Sequence, residues 1–324
     1  MMKPMHVLVT GGAGFIGSHL CEALLRRGER VTAVDNFDPF YDRRIKQRNL
    51  AAALDCGGFR LVEGDIRDDA LLAQLFGEPV DAVVHLAALA GVRNSLEQPL
   101  AFNDVNVGGT IRVLEAARAC GRPRFILAST SSVYGNSPHT PYREDAPLWH
   151  CISPYGASKI ACERYGYIYH AVHGMEVVAL RFFTAYGERQ RPDMAIHRFA
   201  RAILSGEPVT LYGDGHTSRD YTYIGDIVRG VLAALDLAEP GFDVINLGNS
   251  EAAELAELVR LIERALGRSA RIEYLPEQPG DPPHTCADIG HARDVLGFAP
   301  RTALSEGIGR FIAWLKAEDA ARAG

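Results

Sequence analysis

Tyr155 and Lys159 stand four residues apart in the segment SPYGASK (153–159). On a helix, that spacing puts both side chains on one face. A free tyrosine, with a pKa of about 10, is a poor base at neutral pH, but a neighbouring ammonium favours its phenolate. The pair could therefore remove a proton from a hydroxyl group. Without further context, a surface tyrosine above a solvated lysine explains the same spacing.

A glycine-rich loop lies near the start of the chain. An apolar run at 6–10 predicts a strand, helical periodicity covers 16–27, and a second apolar run follows at 30–34. Together they indicate a β-α-β unit. Glycines at 11, 14 and 17 allow a tight turn, the approach of a pyrophosphate to the backbone and close helix packing. The predicted dinucleotide contacts of this loop are Gly11, Gly14, Phe15, Ile16 and Gly17.

Asp35 closes the second predicted strand, where a carboxylate can accept hydrogen bonds from both ribose hydroxyls of NAD. The same carboxylate would repel the 2′-phosphate of NADP, so NAD is the predicted cofactor. Arg43 and Arg44 follow, and a solvated charged face accounts for them. Residues at or after the carboxyl ends of predicted strands are further candidates for lining the cofactor cleft: Asn36, Asp65, Ile66, Leu86, Ala87, Ala88 and Asn106.

Composition limits the class of protein. The chain has 324 residues, of which 47% are hydrophobic and 23% charged, and it carries a net charge of −6. This gives no electrostatic surface for nucleic acid, so small molecules are the predicted partners. Six cysteines without paired spacing predict reduced thiols, and the eleven histidines show no metal-ligand spacing, so no metal is expected. No signal segment and no membrane-spanning run is recognised, which predicts a cytoplasmic protein.

Continuously apolar strands alternate with helices in the first half of the chain. Further strands are predicted at 59–62, 82–86, 124–128 and 177–180, with helices around 71–76, 105–120 and 155–173. The pattern predicts an α/β fold with a Rossmann-type, doubly wound parallel sheet. After about Arg181, glycine and proline become frequent and strands shorter, which predicts a smaller α/β C-terminal lobe for the substrate. The predicted NAD lobe is 1–184, rejoined by 219–249, and the substrate lobe is 185–218 with 250–324.

In the substrate lobe, helices are predicted at 194–204, 251–266 and 304–316, and the tail from Ala317 is expected to fray. In the NAD lobe, His85 lies within an apolar strand and is expected to be a core residue and not a base.

With the glycine loop, Asp35, Asn106 and the Tyr155/Lys159 pair in this order, the chain resembles the extended short-chain dehydrogenase/reductase family, in particular its nucleotide-sugar epimerases and dehydratases. The resemblance covers nearly the whole length, including the C-terminal pattern DIGHARDVLGFAP (288–300). It implies NAD dependence and catalysis by Tyr155 and Lys159. It also implies a homodimer, built by pairing the helices near 105–120 and 155–173.

The segment after the fifth predicted strand distinguishes between reactions within that family. There, the residue at the position of Thr130 hydrogen-bonds the sugar's 4-oxygen. Sugar 4,6-dehydratases carry acidic residues at the positions of Ser131 and Ser132, and decarboxylases that form UDP-xylose carry a glutamate at the position of Ser132. With two serines beside the substrate instead, the resemblance implies oxidation and re-reduction of one carbon, that is, C4 epimerisation through a transient 4-keto sugar. A polar strand end satisfied by backbone contacts is the alternative for this segment.

The second lobe carries the expected contacts to the nucleotide. Tyr212 lies in a segment, VTLYG (209–213), that resembles the part of the family packing against uracil. Arg219 matches an arginine that pairs with the diphosphate. Gln278 and Asp281 belong to QPGD (278–281), and Gln278 stands where many relatives have a second phosphate arginine. Arg93 is expected to substitute for it.

Two segments indicate the sugar. RFFTAYGERQRPDM (181–194) and NFDPFYD (36–42) look most like the corresponding parts of UDP-glucuronate 4-epimerases, which form UDP-galacturonate. Thr184 stands where UDP-galactose epimerases carry asparagine, and Arg191 supplies the cation that a sugar carboxylate requires. Because oxidation at C4 creates a β-keto acid, Arg191 and Thr184 are expected to hold the carboxylate where carbon dioxide is not lost. A loop arginine facing solvent is the alternative for Arg191.

Three enzymatic activities therefore stay open at the level of the sequence: UDP-glucuronate 4-epimerase, which is favoured, UDP-glucose 4-epimerase and UDP-glucuronate decarboxylase. A non-catalytic NAD-binding sensor or scaffold is an alternative from a different class. Such a protein would need the glycine loop but not Tyr155, Lys159 and Thr130 together.

Overall fold

The computed structural model describes residues 4–276, 280 and 282–323. In that part of the chain the strands are β1 (His6–Thr10), β2 (Arg30–Asp35), β3 (Phe59–Glu63), β4 (Ala82–His85), β5 (Arg124–Thr130), β6 (Val177–Phe182), β7 (Thr184–Tyr186), β8 (Val209–Tyr212), β9 (Ser218–Tyr223), β10 (Phe242–Leu247), β11 (Ala252–Glu254) and β12 (Ile272–Leu275).

The helices are α1 (Phe15–Arg26), α2 (Arg43–Asn49), α3 (Ala51–Leu54), α4 (Asp69–Leu75), α5 (Val92–Glu97), α6 (Pro99–Phe102), α7 (Gly109–Ala119), α8 (Pro154–His173), α9 (Ala195–Ser205), α10 (Ile224–Leu235), α11 (Leu255–Leu266), α12 (Gly290–Leu296) and α13 (Leu304–Ala323). A π-helical segment, Asn103–Gly108, leads into α7, and a short 3₁₀ turn, Ser131–Val133, follows β5. None of these helices, over the residues described, is long and apolar enough to cross a membrane.

Seven strands form one parallel sheet in the order β10-β6-β5-β4-β1-β2-β3. Every residue of β1 and β4 is buried, as expected of strands covered by helices on both faces. One apolar cluster contains residues of α1 and α10, and the second contains residues of α4, α7 and α8. The predicted α/β fold with a doubly wound parallel sheet is confirmed.

The winding of the sheet reverses at β1, which pairs with β2 on one side and β4 on the other. A crevice forms at the carboxyl end of a parallel sheet where the winding reverses. The glycine loop begins in this crevice, directly after Thr10. The topology therefore puts the loop where such sheets bind their ligands.

Two small sheets complete the strand content of the described residues. β9 pairs with β7 in parallel and with β11 in antiparallel orientation, while β8 pairs with β12. β7 begins at Thr184, two residues after β6 ends, so the chain leaves the large sheet at its carboxyl edge. It returns to the large sheet at β10, beside β6.

Helix α8 begins sharply because of its sequence. The Ser153 side chain caps it by accepting a hydrogen bond from the Gly156 amide at 3.0 Å, and Pro154 occupies the first turn. Gly174, with φ of +67°, ends the helix in the left-handed conformation. Tyr155 therefore lies in the first turn of a rigid 20-residue helix.

The C-terminal helix is longer than the sequence predicted. A helix was expected to end near Lys316 and the tail from Ala317 to fray, but α13 continues to Ala323. Asp319 accepts hydrogen bonds from Arg201, and Glu318 pairs with Arg48 at 3.2 Å. The expectation was wrong because these partners lie far away in the sequence.

Candidate active site

The Tyr155/Lys159 pair lies at the carboxyl edge of the large sheet. The Lys159 ammonium is buried and donates a hydrogen bond to the carbonyl of Ala128 in β5 at 2.9 Å. The Tyr155 ring is partly exposed and packs edge-on against Phe102, with 6.1 Å between ring centroids. A fixed cation thus lies one helical turn from a tyrosine that a ligand can reach.

Thr130 ends β5, two residues beyond Ala128, and only 7% of it is exposed. Its hydroxyl oxygen accepts a hydrogen bond from the Ser132 amide at 3.2 Å and lies 3.3 Å from the Ser132 hydroxyl. Ser131 and Ser132 form the 3₁₀ turn that follows. The structure therefore brings Thr130, Ser131 and Ser132 to the sheet edge that also holds Lys159.

Asn106 joins the segment after β4 to the helix of Tyr155. Its side chain exchanges two hydrogen bonds with the backbone of Leu89, at 2.8 and 3.0 Å, and donates a third to the Ser158 hydroxyl at 3.0 Å. Ser158 in turn donates to the carbonyl of Tyr155 at 2.8 Å. Asn106, which the sequence predicts to contact the cofactor, thus connects α8 to the 86–91 segment.

The glycine loop has the geometry that its sequence predicts. Gly11 has φ of +72°, and a Cβ there would lie 2.8 Å from the amide nitrogen of Ala87. A Cβ on Gly17 would lie 2.2 Å from the Gly11 carbonyl oxygen, so only glycine allows α1 to start so close to the loop. Around Gly14 the space is open except for the Gly11 oxygen at 3.2 Å.

Asp35 is buried at the end of β2. Its Oδ2 accepts a hydrogen bond from the Ala13 amide at 3.1 Å, and its Oδ1 accepts from the Phe37 amide at 2.8 Å and from Lys46 at 3.1 Å. Since a carboxylate has about four acceptor positions, one remains on Oδ2 for a ribose hydroxyl. The sequence did not single out Lys46, whose only signal is its place on the short helix α2.

The neighbouring residues of the predicted adenosine site are also assembled. Asn36 donates to Asp65 at 3.0 Å, and the guanidinium of Arg67 holds the pKa of Asp65 well below its usual range. Ile66 is buried against Gly109. Arg43 and Arg44 lie outside, where they pair with Glu63 and Asp42 on an exposed face.

These features fit a dinucleotide. No side chain caps α1, so its first amides are open to an anion beside the free space over Gly14. Leu86, Ala87 and Ala88 lie against the loop on one side, and Asp35 offers its carboxylate on the other. Within the described ranges, no group of His, Cys, Asp and Glu is arranged to hold a metal ion.

The candidate nucleotide contacts lie on α5, β8 and β9. The Arg93 guanidinium stacks on the Tyr212 ring, with 4.5 Å from Cζ to the ring centroid, so the structure brings these two residues together. Arg219 lies on β9 and donates to the carbonyls of Ser218 and Pro283 at 2.9 and 3.3 Å. Gln278 and Asp281 lie outside the described residues.

Arg191 lies in the 187–193 loop that follows β7. It donates two hydrogen bonds to Asp193, at 3.0 and 2.8 Å, and its guanidinium lies over the ring of Phe40 at 5.4 Å. Burial lowers the pKa of Arg191, but the ion pair with Asp193 and the nearby phenol of Tyr155 outweigh burial and raise it. Arg191 is thus close enough to Tyr155 for an electrostatic interaction, and its side chain is only 21% exposed.

Thr184, the residue expected to act with Arg191, opens β7 and is half-buried. It lies opposite Tyr221 in the register of β7 with β9. Thr184 therefore precedes the 187–193 loop, whereas Arg191 lies within it. Through Arg191 and Phe40, the loop contacts the 36–42 segment, as the two sequence segments predicted.

A buried ion pair below the site was not recognised from the sequence. Glu163 lies one turn beyond Lys159 on α8, and it pairs with Arg181 of β6 at 2.8 Å while accepting a hydrogen bond from Ser129 at 2.5 Å. The helix is thereby tied to the ends of β5 and β6. The spacing of Glu163 from Lys159 was its only sequence signal.

His85 is a buried residue of the sheet. Its two ring nitrogens lie 2.8 Å from the Thr10 hydroxyl and 3.0 Å from the Thr110 hydroxyl. Burial lowers its pKa to about 3, so the ring is neutral at ordinary pH. It serves the core, as the sequence analysis expected.

Comparison with known proteins gives consistent matches. The family model described as "NAD dependent epimerase/dehydratase family" matches residues 7–248. UDP-glucuronate 4-epimerase of Thermodesulfobacterium geofontis is 39% identical, over 96% of this chain and 96% of that one. A crystal structure of UDP-glucuronic acid 4-epimerase from Bacillus cereus, in complex with UDP-glucuronic acid and NAD, is 37% identical and covers 97% of this chain and 100% of its own, with a TM-score of 0.92. MoeE5 in complex with UDP-glucuronic acid and NAD is 39% identical, with coverages of 97% and 99% and a TM-score of 0.87.

Proposed function

The chain belongs to the NAD dependent epimerase/dehydratase family, and from that membership we propose that its substrate is a UDP-uronic acid, with UDP-glucuronate and UDP-galacturonate interconverted at C4. That it is an NAD-dependent 4-epimerase of UDP-sugars follows from its relatives. The choice of a uronic acid among UDP-sugars needs an observation of its own. It rests on the UDP-glucuronate 4-epimerases among the relatives and on Arg191, a cation that is mostly shielded from water and lies over the ring of Phe40.

In the proposed reaction, Tyr155 removes the proton of the 4-hydroxyl and later returns it to the 4-oxygen of the turned sugar. Lys159 stabilises the phenolate from its fixed position against the Ala128 carbonyl, and Thr130 orients the reacting oxygen. The cofactor, when bound, supplies the acceptor and then the donor of the C4 hydride. The 4-keto sugar turns about its diphosphate between the two steps, so the enzyme leaves NAD unchanged overall.

Ser131 and Ser132 support epimerisation over the two eliminating reactions. Loss of water or of carbon dioxide from the keto sugar is assisted by an acid at this position in related enzymes, and a serine hydroxyl does not titrate near neutral pH. Within reach of Thr130, the turn offers hydroxyls only. The turn at 131–133 therefore offers the keto sugar no proton donor of the carboxylic type, which favours its reduction.

For the nucleotide, we propose that the stacked pair of Arg93 and Tyr212 receives the uracil and one phosphate, and that Arg219 receives the other. A guanidinium already stacked on an aromatic ring is partly immobilised, so it loses little entropy on binding a phosphate. The predicted lobes, 1–184 with 219–249 and 185–218 with 250–324, remain part of this proposal.

We also propose a homodimer formed through α7 and α8. Exposed apolar side chains on or beside α8 support it: Leu96, Leu100, Tyr167, Ile168 and Val172. Leu100 is 84% and Val172 is 68% exposed, and a dimer that covers such side chains would remove apolar surface from water.

All six cysteines are free thiols, which supports a reducing, cytoplasmic setting.

One experiment tests the reaction and the sugar together. The purified protein is incubated with NAD and, in separate reactions, with UDP-glucuronate or UDP-glucose, and the nucleotide sugars are separated by chromatography. We expect UDP-galacturonate as the product. UDP-xylose in its place would establish the decarboxylase, turnover of UDP-glucose alone would establish the UDP-glucose epimerase, and no turnover of any UDP-sugar would overturn the enzymatic proposal in favour of a scaffold.

A further inference from the structure

The loop that carries Arg191 is attached to helix α1, which starts at the glycine loop. The Arg189 guanidinium donates a hydrogen bond to the Glu22 carboxylate at 2.6 Å. The His19 ring donates a second one, from Nε2 to the carbonyl of Glu188 at 2.9 Å. Glu22 and His19 lie one turn apart on the same face of α1. Two neighbouring residues of the loop are therefore held by two neighbouring residues of the cofactor helix.

These contacts are shielded from water. The Glu22 and Arg189 side chains are 16% and 20% exposed, so their attraction is screened less than that of a surface pair. Burial lowers the pKa of His19, which keeps its ring neutral and leaves Nε2 as a single donor to the carbonyl. A third contact, from the Tyr223 hydroxyl to the Glu188 carboxylate at 2.8 Å, holds the loop from the side of β9.

Two parts of the same loop are held differently. Gly187 packs closely against Ile224, and the buried Gln190 donates a hydrogen bond to the carbonyl of Ala185. Glu188 and Arg189, in contrast, border a cavity of about 530 Å³. Arg189 has φ of +62°, a left-handed conformation that an arginine adopts only when its surroundings impose it. The contacts to α1 therefore hold the part of the loop that packing leaves open.

We propose that Glu22 and His19 are positioning residues, which hold the 187–193 loop on the cofactor helix so that Arg191 keeps the sugar carboxylate in a non-reactive orientation. This inference rests on the proposed function. Arg191 follows Arg189 by two residues, so a shift of the anchored end moves the guanidinium relative to Tyr155. Glu22 and His19 contact Arg189 and Glu188, so they would act on Arg191 through the loop.

The consequence is chemical because the intermediate is a β-keto acid. If the C5–C6 bond aligns with the C4 carbonyl π system, the bond breaks and carbon dioxide leaves. The bonding electron pair then forms the enolate of the 4-keto group, and C5 takes a proton from solvent. A loosened loop would permit that alignment, so a fraction of turnovers would end in a decarboxylated sugar.

The test compares Glu22→Gln and Glu22→Ala with Glu78→Gln, which removes an exposed charge elsewhere. Removing an acceptor to a charged donor should raise KM for UDP-glucuronate about tenfold. The affinity for UDP, which has no carboxylate, should stay unchanged, and the decarboxylated product should rise several-fold over wild type. The exchanged pair, Glu22→Arg with Arg189→Glu, should restore the product ratio in part.

Product ratios and KM equal to those of Glu78→Gln would overturn the proposal. If Glu22→Ala does not fold, Glu22→Gln decides, because its amide keeps the shape and one acceptor. The wild-type assay separates the two hypotheses. Without conversion of UDP-glucuronate by wild type, the proposed function fails, whereas unaltered variants beside an active wild type reject only the role of Glu22.

Discussion

The Lys46 ammonium lies 3.1 Å from Oδ1 of Asp35, and less than a tenth of each side chain is exposed. The carboxylate that should repel a 2′-phosphate is therefore partly neutralised by a buried cation next to it. In Asp35→Asn, that cation loses its counter-charge while the shape of the site is kept. We expect the ratio of NADP to NAD affinity to rise at least about tenfold.

Fluorescence titration of NAD-free protein with each cofactor measures this ratio. The double variant Asp35→Asn with Lys46→Met is the control, because it lacks both charges and should lose the gain in NADP affinity. An unchanged NADP affinity in Asp35→Asn alone would show that Lys46 does not face the 2′ position.

Tyr155→Phe should retain NAD and lose turnover. The substitution removes one oxygen from a partly exposed ring and leaves Lys159, Asn106 and the packing on Phe102 in place. Loss of general acid–base catalysis lowers kcat by at least about 100-fold. Chromatography of the products measures turnover, and the absorbance of the bound cofactor measures the retention of NAD. Near-normal epimerisation would refute Tyr155 as the base.

Arg191→Ala should discriminate between substrates. We expect kcat/KM for UDP-glucuronate to fall about 100-fold, because a charge-assisted hydrogen bond to the carboxylate is lost. Turnover of UDP-glucose, however slow in wild type, should fall much less. Arg191→Lys keeps the positive charge but not the planar guanidinium, so its kcat/KM should lie between those of wild type and Arg191→Ala. Equal losses on both sugars would remove the carboxylate role.

Two apolar residues should control the oligomeric state. The proposed interface is formed by α7 and α8. Val172 lies on α8, and Leu100 lies on α6 beside it, so Val172→Asp combined with Leu100→Asp puts charges into or next to that interface and should give a monomer in sedimentation velocity. Leu54→Asp is the matched control, since Leu54 is 54% exposed on α3. A doubly substituted protein that sediments like the control would rule out this interface.

Alkaline pH should destabilise the protein through its buried tyrosines. Burial raises the pKa of Tyr221 to about 12, whereas an unfolded tyrosine titrates near 10. The stabilising contribution is therefore complete below about pH 10 and is lost as pH rises to about 12, at up to about 1.4 kcal/mol per pH unit. Urea unfolding at several pH values measures the slope.

Tyr221→Phe should show a shallower decline of unfolding free energy with pH. Tyr274→Phe should behave like wild type, because Tyr274 is 56% exposed. The same slope in all three proteins would mean that other groups control alkaline unfolding.

Much of the fold could be predicted from the sequence where the physical signal is local. The strand after which Gly11 turns, Asp35 at the end of β2, and the helix cap at Ser153 are all set by neighbours in the chain. The predicted helix at 105–120 was correct in place. Its first turn is π-helical, however, and the Asn106 side chain in that turn is bonded to Ser158 of α8, a partner distant in the sequence.

The supporting contacts could not be predicted in the same way. Lys46 with Asp35, Glu22 with Arg189 and Glu163 with Arg181 are pairs of ordinary charged residues, and nothing in their local sequence differs from a solvated face. Only the packing of α1, α2 and α8 against the sheet brings the partners together. Motifs identified the residues proposed to touch ligands, while the residues that orient them required the structure.

The position of β10 affects how the protein can be synthesised. β10 pairs with β6, but about 60 residues separate the end of one strand from the start of the other. At translation rates of roughly 5–20 residues per second, the edge of β6 stays unpaired for several seconds after it leaves the ribosome. An open parallel edge with buried, apolar side chains can pair with other chains. The nascent protein is therefore a candidate for chaperone binding during that interval, before β10, the last strand of the large sheet, has been made.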